Sequence, residues 1–167
     1  PEVNIVTPVV LIAEELAPKS SAYFQIFLSD DEGRSLAPVN PDEPFYGAQY
    51  LPRKFKIAVC GSTQDRAAIH FHDIGIELKA NDMGETGFKV LAGGGLGRTP
   101  VIGSVVCAWL SKEHLLTYLE SILRVYNKHG RRDNKYKARI KILVKAMGID
   151  AFRAAVEHEW KALKDGP

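Results

Sequence analysis

The apolar residues change their period along this chain, and that change limits the possible folds more than any other feature. From Lys112 onward they recur at helical spacing. Leu115, Leu116, Leu119, Ile122, Leu123 and Tyr126 form one face over residues 112–127. Tyr136, Ile140, Leu143, Val144 and Met147 form a second, ended by Gly148. Phe152, Val156 and Trp160 form a third, with Asp150 placed to cap it and residues 161–167 read as a frayed tail. Before Lys112, the apolar runs have strand length and are closed by turn residues. Residues 22–28, 55–60, 74–79 and 87–92 read as strands, 29–33 and 81–84 as turns, and 65–69 as a short helical turn. Residues 34–50, with Pro38, Pro41 and Pro44, read as a loop. One early helix over residues 9–16 is expected, with Thr7 as its cap, Pro8 at its first position and Pro18 stopping it. Strands followed by helices predict an α+β domain. The expectation is a mixed sheet of about five strands with helices on one side, spanning residues 1–167 as a single unit.

Composition closes off several functions. The formal charge of +2 selects no particular partner, and no run approaches the ~18 apolar residues of a membrane helix. The first residues lack the basic lead of a signal peptide, which points to the cytoplasm. The start at Pro1 suggests a processed or excised chain. Only Cys60 and Cys107 are present, too few for an iron–sulfur cluster or a disulfide scaffold. Both lie in apolar surroundings and read as buried, inert thiols, and no metal site is expected.

Three features carry chemistry. In Leu51-Pro52-Arg53-Lys54-Phe55-Lys56, strand alternation sends Lys54 and Lys56 to one side, about 7 Å apart, and Phe55, Ile57 and Val59 to the other. Two adjacent ammoniums repel unless an anion lies between them, so the pair is either a ligand site or an ordinary solvated face. Gly93-Gly94-Gly95-Leu96-Gly97-Arg98-Thr99-Pro100 can bring backbone N–H groups close to an anion, or can be a flexible strand exit. It matches neither a Walker loop nor a dinucleotide fingerprint. Residues 124–145 hold nine Lys/Arg against one acid, Asp133, leaving the rest of the chain net negative. Such a run binds nucleic acid or an anionic cofactor, or is simply solvated, and its sparse aromatics disfavour base stacking. His70 and His72 beside Asp73 suggest acid–base or metal chemistry, but lack a third ligand nearby in sequence.

Taken in order, residues 50–56, His72-Asp73 and Gly93-Gly94-Gly95-Leu96 resemble the sirohaem-dependent sulfite and nitrite reductases, with flanking similarity to the sulfite-reducing branch. Leu16-Ala17-Pro18-Lys19, Asp42-Glu43-Pro44, Glu113-His114 and Gly148-Ile149-Asp150-Ala151-Phe152 extend that similarity over residues 11–160. The resemblance implies the 4Fe-4S domain-like fold of those enzymes and a six-electron reduction of sulfite to sulfide, or of nitrite to ammonia. It assigns Lys54 and Lys56 to the substrate anion as catalytic residues. Arg53, Gly93, Gly94, Gly95 and Arg132 are assigned to the sirohaem carboxylates and macrocycle. The cluster cysteines of the family have no match here. The expectation is therefore a fragment, inactive alone and binding neither cofactor by itself. Its partners would be the remaining domains of a parent chain, sulfite or nitrite, and a flavoprotein subunit or ferredoxin as electron donor. The alternatives are a domain of a ferredoxin-dependent nitrite reductase, or a non-catalytic module binding RNA or another polyanion through residues 124–145.

Overall fold

Two alternating runs around Asn81 make the centre of the sheet. In the computed structural model, which describes residues 5–18, 50–62 and 64–164, they form β2 (Ile74–Ala80) and β3 (Thr86–Ala92). The pair is antiparallel, with Ile76 opposite Val90 and Glu77 opposite Lys89. The Asn81 side-chain oxygen Oδ1 closes the turn by accepting the N–H groups of Met83 (3.0 Å) and Glu85 (2.8 Å). Alternation then divides the side chains between faces. Ile74, Ile76, Phe88 and Val90 enter the main core, whereas Lys89 meets Glu77 at 2.9 Å on the other face. A short strand, β1 (Ile57–Cys60), adds parallel to β2, and β4 (Ser104–Ser111) adds antiparallel to β3. The order is β1-β2-β3-β4.

The sheet is mixed, as expected, with four strands among the described residues rather than about five. The expected strand at 22–28, the turn at 29–33 and nearly all of the loop at 34–50 lie outside the described residues. β4 was not legible as a strand. Its apolar run 105–110 does not alternate, because irregularities in the β3–β4 register put residues out of step with their partners.

Helices α1 (Val6–Leu16), α2 (Leu115–His129), α3 (Ile140–Met147) and α4 (Ile149–Lys164) share one core with the sheet. Ile12, Leu119, Ile122, Ile140, Phe152 and Val156 are buried there. The opposite face carries a smaller cluster of Cys60, Ile69 and Leu91, beside a single 3-10 turn at Ile69–Phe71. Several boundaries move for local reasons. α1 opens at Val6 rather than Val9, with Ile5 and not Thr7 at the cap position; Pro8 is tolerated because a first-turn N–H has no helical partner to lose. α3 starts at Ile140, since Asn134 holds a competing turn by accepting the Tyr136 N–H at 2.9 Å and leaves Tyr136 exposed. α4 starts directly after Gly148, so Asp150 lies inside its first turn, paired with Arg153 at 3.0 Å. It also continues to Lys164, past the point where fraying was expected.

Candidate functional site

Residues 50–56 run into β1 and carry the lysine pair. Hydrogen-bonded strand begins only at Ile57, yet the alternation extends back from it: Lys54 and Lys56 are exposed, and Phe55 between them packs against the core. The segment is strapped to the helical half of the chain. Tyr50 adopts φ 52°, a left-handed conformation unfavourable for a bulky residue, and its carbonyl accepts the Arg132 guanidinium at 3.0 Å. Arg132 also donates to the Asn127 carbonyl at 3.0 Å. Arg53 donates to the Lys135 carbonyl at 3.0 Å. The buried Tyr126 hydroxyl lies 3.2 Å from the Arg53 carbonyl and 3.0 Å from that of Ala138, so one proton serves both chain segments. Burial, reinforced by the Asp73 charge, pushes the Tyr126 phenol up to about 12, which keeps that proton in place. Pro52 lies against Gly130, where a Cβ would stand 2.8 Å from the Pro52 ring and 2.5 Å from the Tyr126 carbonyl oxygen.

Asp73 holds the other side of the segment. Its carboxylate is 1% exposed and receives three groups. Arg139 donates from Nε (3.1 Å) and from a terminal nitrogen to both oxygens (2.8 and 2.9 Å), and the Lys56 backbone N–H donates at 3.0 Å. The Lys56 carbonyl in turn accepts the Ile74 N–H at 3.1 Å. Both backbone polar groups of Lys56 are therefore held while its ammonium faces solvent.

The triple-glycine loop is built for close packing rather than as an open nest of donors. Gly93, Gly94 and Gly95 are buried. The Gly93 N–H donates to the Asp73 carbonyl at 3.0 Å, and the Gly95 N–H to that of Val101 at 2.9 Å. At Gly94 a Cβ would come within 2.4 and 2.5 Å of the His70 and His72 carbonyl oxygens. Backbone cannot swing away as a flexible side chain can, so Gly94→Ala is expected to cost about 3 kcal/mol, read as a lowered urea midpoint. Beyond Gly95 the chain returns to the surface, where the buried Lys141 ammonium donates to the Leu96 (3.2 Å) and Thr99 (2.7 Å) carbonyls.

The basic run does not form one solvated face. Arg124 pairs with Glu120, Lys128 with Glu159, Arg131 with Asp133 and Arg139 with Asp73, while Arg132 and Lys141 hold backbone carbonyls. Nor do the histidines converge. The His70 ring meets Asp65 at 3.0 Å and the His72 ring meets the Ala68 carbonyl at 2.9 Å, so Asp73 serves neither. Among the described residues no group of three His, Cys, Asp or Glu is arranged to hold a metal. Cys60 is buried, but Cys107 is only half-buried, which corrects the expectation for that thiol; burial raises its pKa. Thus Lys54, Lys56, Arg53 and Arg132 belong to one strapped segment or its straps, and Gly93 touches the same Asp73. Tyr126, Asp73, Arg139 and Lys141 were missed as organisers of this region. Arg139 and Lys141 carried only the charge of the run, and Asp73 only its position beside His72.

Among the described residues the sheet is mixed, shares one core with the helices and leads into the Lys-x-Lys segment at its β1 edge. The chain belongs to the family described as the nitrite and sulphite reductase 4Fe-4S domain, which it matches over residues 28–164. Among individual proteins it is 31% identical over 155 residues to the sulfite reductase [NADPH] hemoprotein beta-component of Geobacillus kaustophilus (strain HTA426), covering 88% of this chain and 27% of that protein. It is 35% identical over 150 residues to the same component of Shewanella sediminis (strain HAW-EB3), covering 84% of this chain and 26% of that protein. The solved structure of the Mycobacterium tuberculosis NirA protein superposes with a TM-score of 0.61 at 31% identity, over 70% of this chain and 21% of that one. The chain thus spans about a quarter of the length of the curated relatives it matches. Among the described residues no helix is long and apolar enough to cross a membrane.

Proposed function

We propose that this chain is one domain of an assimilatory-type, cytoplasmic sulfite reductase, where it forms part of the sirohaem pocket and presents Lys54 and Lys56 to the substrate anion. One observation carries this reading: two exposed ammoniums flank Phe55, two residues apart, on a segment whose backbone is strapped from both sides. Paired cations held in this way favour a compact oxyanion, stabilise negative charge as it develops and can deliver protons to a leaving oxygen.

The donor set suits a polycarboxylate macrocycle. Arg53 commits one terminal nitrogen to the Lys135 carbonyl and retains further N–H donors, and Arg132 is held on the Tyr50 carbonyl of the same segment. The buried Gly93, Gly94 and Gly95 would offer a wall of shape rather than of free N–H groups. Bound sirohaem, supplied through its cluster, would provide the electrons. The residues do not suit the cluster itself, because a [4Fe–4S] centre takes four thiolates and Cys60 and Cys107 are the only cysteines. Cluster ligands and the electron donor, a flavoprotein subunit or ferredoxin, therefore belong to other parts of the enzyme, and this chain alone is expected to be inactive. The same cations would accept nitrite, but the sulfite-reductase relatives favour sulfite. The polyanion-binding alternative is weakened because six of the nine basic side chains in residues 124–145 are engaged within the fold.

The test is the single substitution Lys54→Met or Lys56→Met in the intact parent enzyme. Sulfite turnover should fall at least about tenfold for either change while the sirohaem absorbance is retained. Turnover at the wild-type level would remove the lysines from the site.

A further inference from the structure

We propose that Asp73 is the positioning residue of the lysine pair; this rests on the reading that Lys54 and Lys56 bind the substrate anion. The Asp73 carboxylate is buried, and a buried carboxylate is costly unless every oxygen is engaged. Here the engagement is asymmetric. The Arg139 fork takes both oxygens from one side, and Oδ2 also accepts the backbone N–H of Lys56 at 3.0 Å. The side chain of Asp73 thus orients the residue that bears one of the two ammoniums, through its backbone N–H. The backbone next to Asp73 completes the clasp through the 3.1 Å bond from the Ile74 N–H to the Lys56 carbonyl.

Arg139 is the brace of this arrangement. Charge pairing locks the Asp73 carboxylate in one rotamer, and a planar fork does so with more directionality than a lysine would. The Asp73 carbonyl meanwhile receives the Gly93 N–H at 3.0 Å, so one residue ties the lysine segment to the glycine loop. On the Lys54 side, the Arg53 carbonyl is pinned by Tyr126. The lysine pair is therefore pre-organised from two directions, and an anion binding there does not have to order the backbone first.

The test uses the intact parent enzyme loaded with sirohaem, with sulfite as the titrant and the change in sirohaem absorbance as the readout of affinity. Hydrogen exchange at the Lys56 amide is measured in parallel. In Asp73→Asn, the Lys56 amide should exchange about tenfold faster and sulfite should bind about tenfold more weakly, as expected for a misplaced binding group. Asp73→Asn combined with Arg139→Gln leaves no unpaired charge and should recover most of both properties, a rescue that loss of general stability would not produce. If Asp73→Asn does not fold, the double variant serves alone: any loss of Lys56 protection that remains there must be matched by a loss of sulfite affinity, and one without the other overturns the positioning role. A freed Lys56 amide with unchanged sulfite affinity would overturn the positioning role. Unchanged exchange and affinity in Asp73→Asn would do the same. Lys56→Met separates the two ideas. If it leaves sulfite binding intact, the anion reading itself fails; if it weakens binding while Asp73→Asn does not, only the positioning role fails.

Discussion

An intact parent enzyme carrying both Lys54→Met and Lys56→Met is expected to reduce sulfite about 10²–10³-fold more slowly than wild type, with its sirohaem still bound. Methionine keeps a long, unbranched side chain and removes the charge, so the change is electrostatic rather than one of volume. Both ammoniums are exposed and take no part in the core, and the backbone beneath them is held by groups that the substitutions leave intact. The fold should therefore survive. The two lysines would act on one anion, so the double effect is not expected to equal the product of the single effects. The loss should appear in kcat as well as in KM, because charge is stabilised as the oxygen leaves and not only when sulfite docks. Steady-state sulfite reduction, with the sirohaem absorbance as the loading control, is the measurement. A double variant within threefold of wild type would show that the anion is held elsewhere.

The second large effect concerns stability. Asp73→Ala should destabilise the chain by about 3 kcal/mol and lower its thermal midpoint by roughly 6–12 °C. The substitution leaves the Arg139 guanidinium without its counter-charge and the Lys56 N–H without an acceptor. Arg139 is 21% exposed, so water reaches part of it, which places the expected cost at the lower end for a broken buried pair. Differential scanning calorimetry of the chain decides the matter, and a midpoint shift below 2 °C would mean that the ion pair contributes little. Arg139→Ala provides the mirror case. It strands a carboxylate only 1% exposed and should be no milder.

Much of the architecture is legible before any coordinates. The helical periods around Leu119, Leu143 and Val156 place α2, α3 and α4, and Asn81 marks the hairpin between β2 and β3. These signals are local, since burial on one face needs only a repeating spacing. β4 escapes the same logic because its irregular pairing with β3 breaks the two-residue period. The alternation of Lys54, Phe55 and Lys56 was also local, and it holds even though hydrogen-bonded strand starts one residue later.

What surrounds that pair was not legible. Asp73 and Arg139 stand 66 residues apart, and Tyr126 reaches the Arg53 carbonyl across 73. Nothing in the spacing of a carboxylate beside two histidines, or of an arginine within a basic run, tells which partner it will meet. Packing chooses that partner, because a buried charge must be matched at the one place the fold permits. The glycine loop shows the same division. Its composition announces close approach, but only the fold shows that the approach is to the His70 and His72 carbonyls, with the Gly93 and Gly95 N–H groups already committed. The chain's periodicity was thus sufficient for an α+β domain with two lysines side by side. The strapping beneath those lysines arises from contacts between distant segments, which form only once the core brings the sheet and helices together.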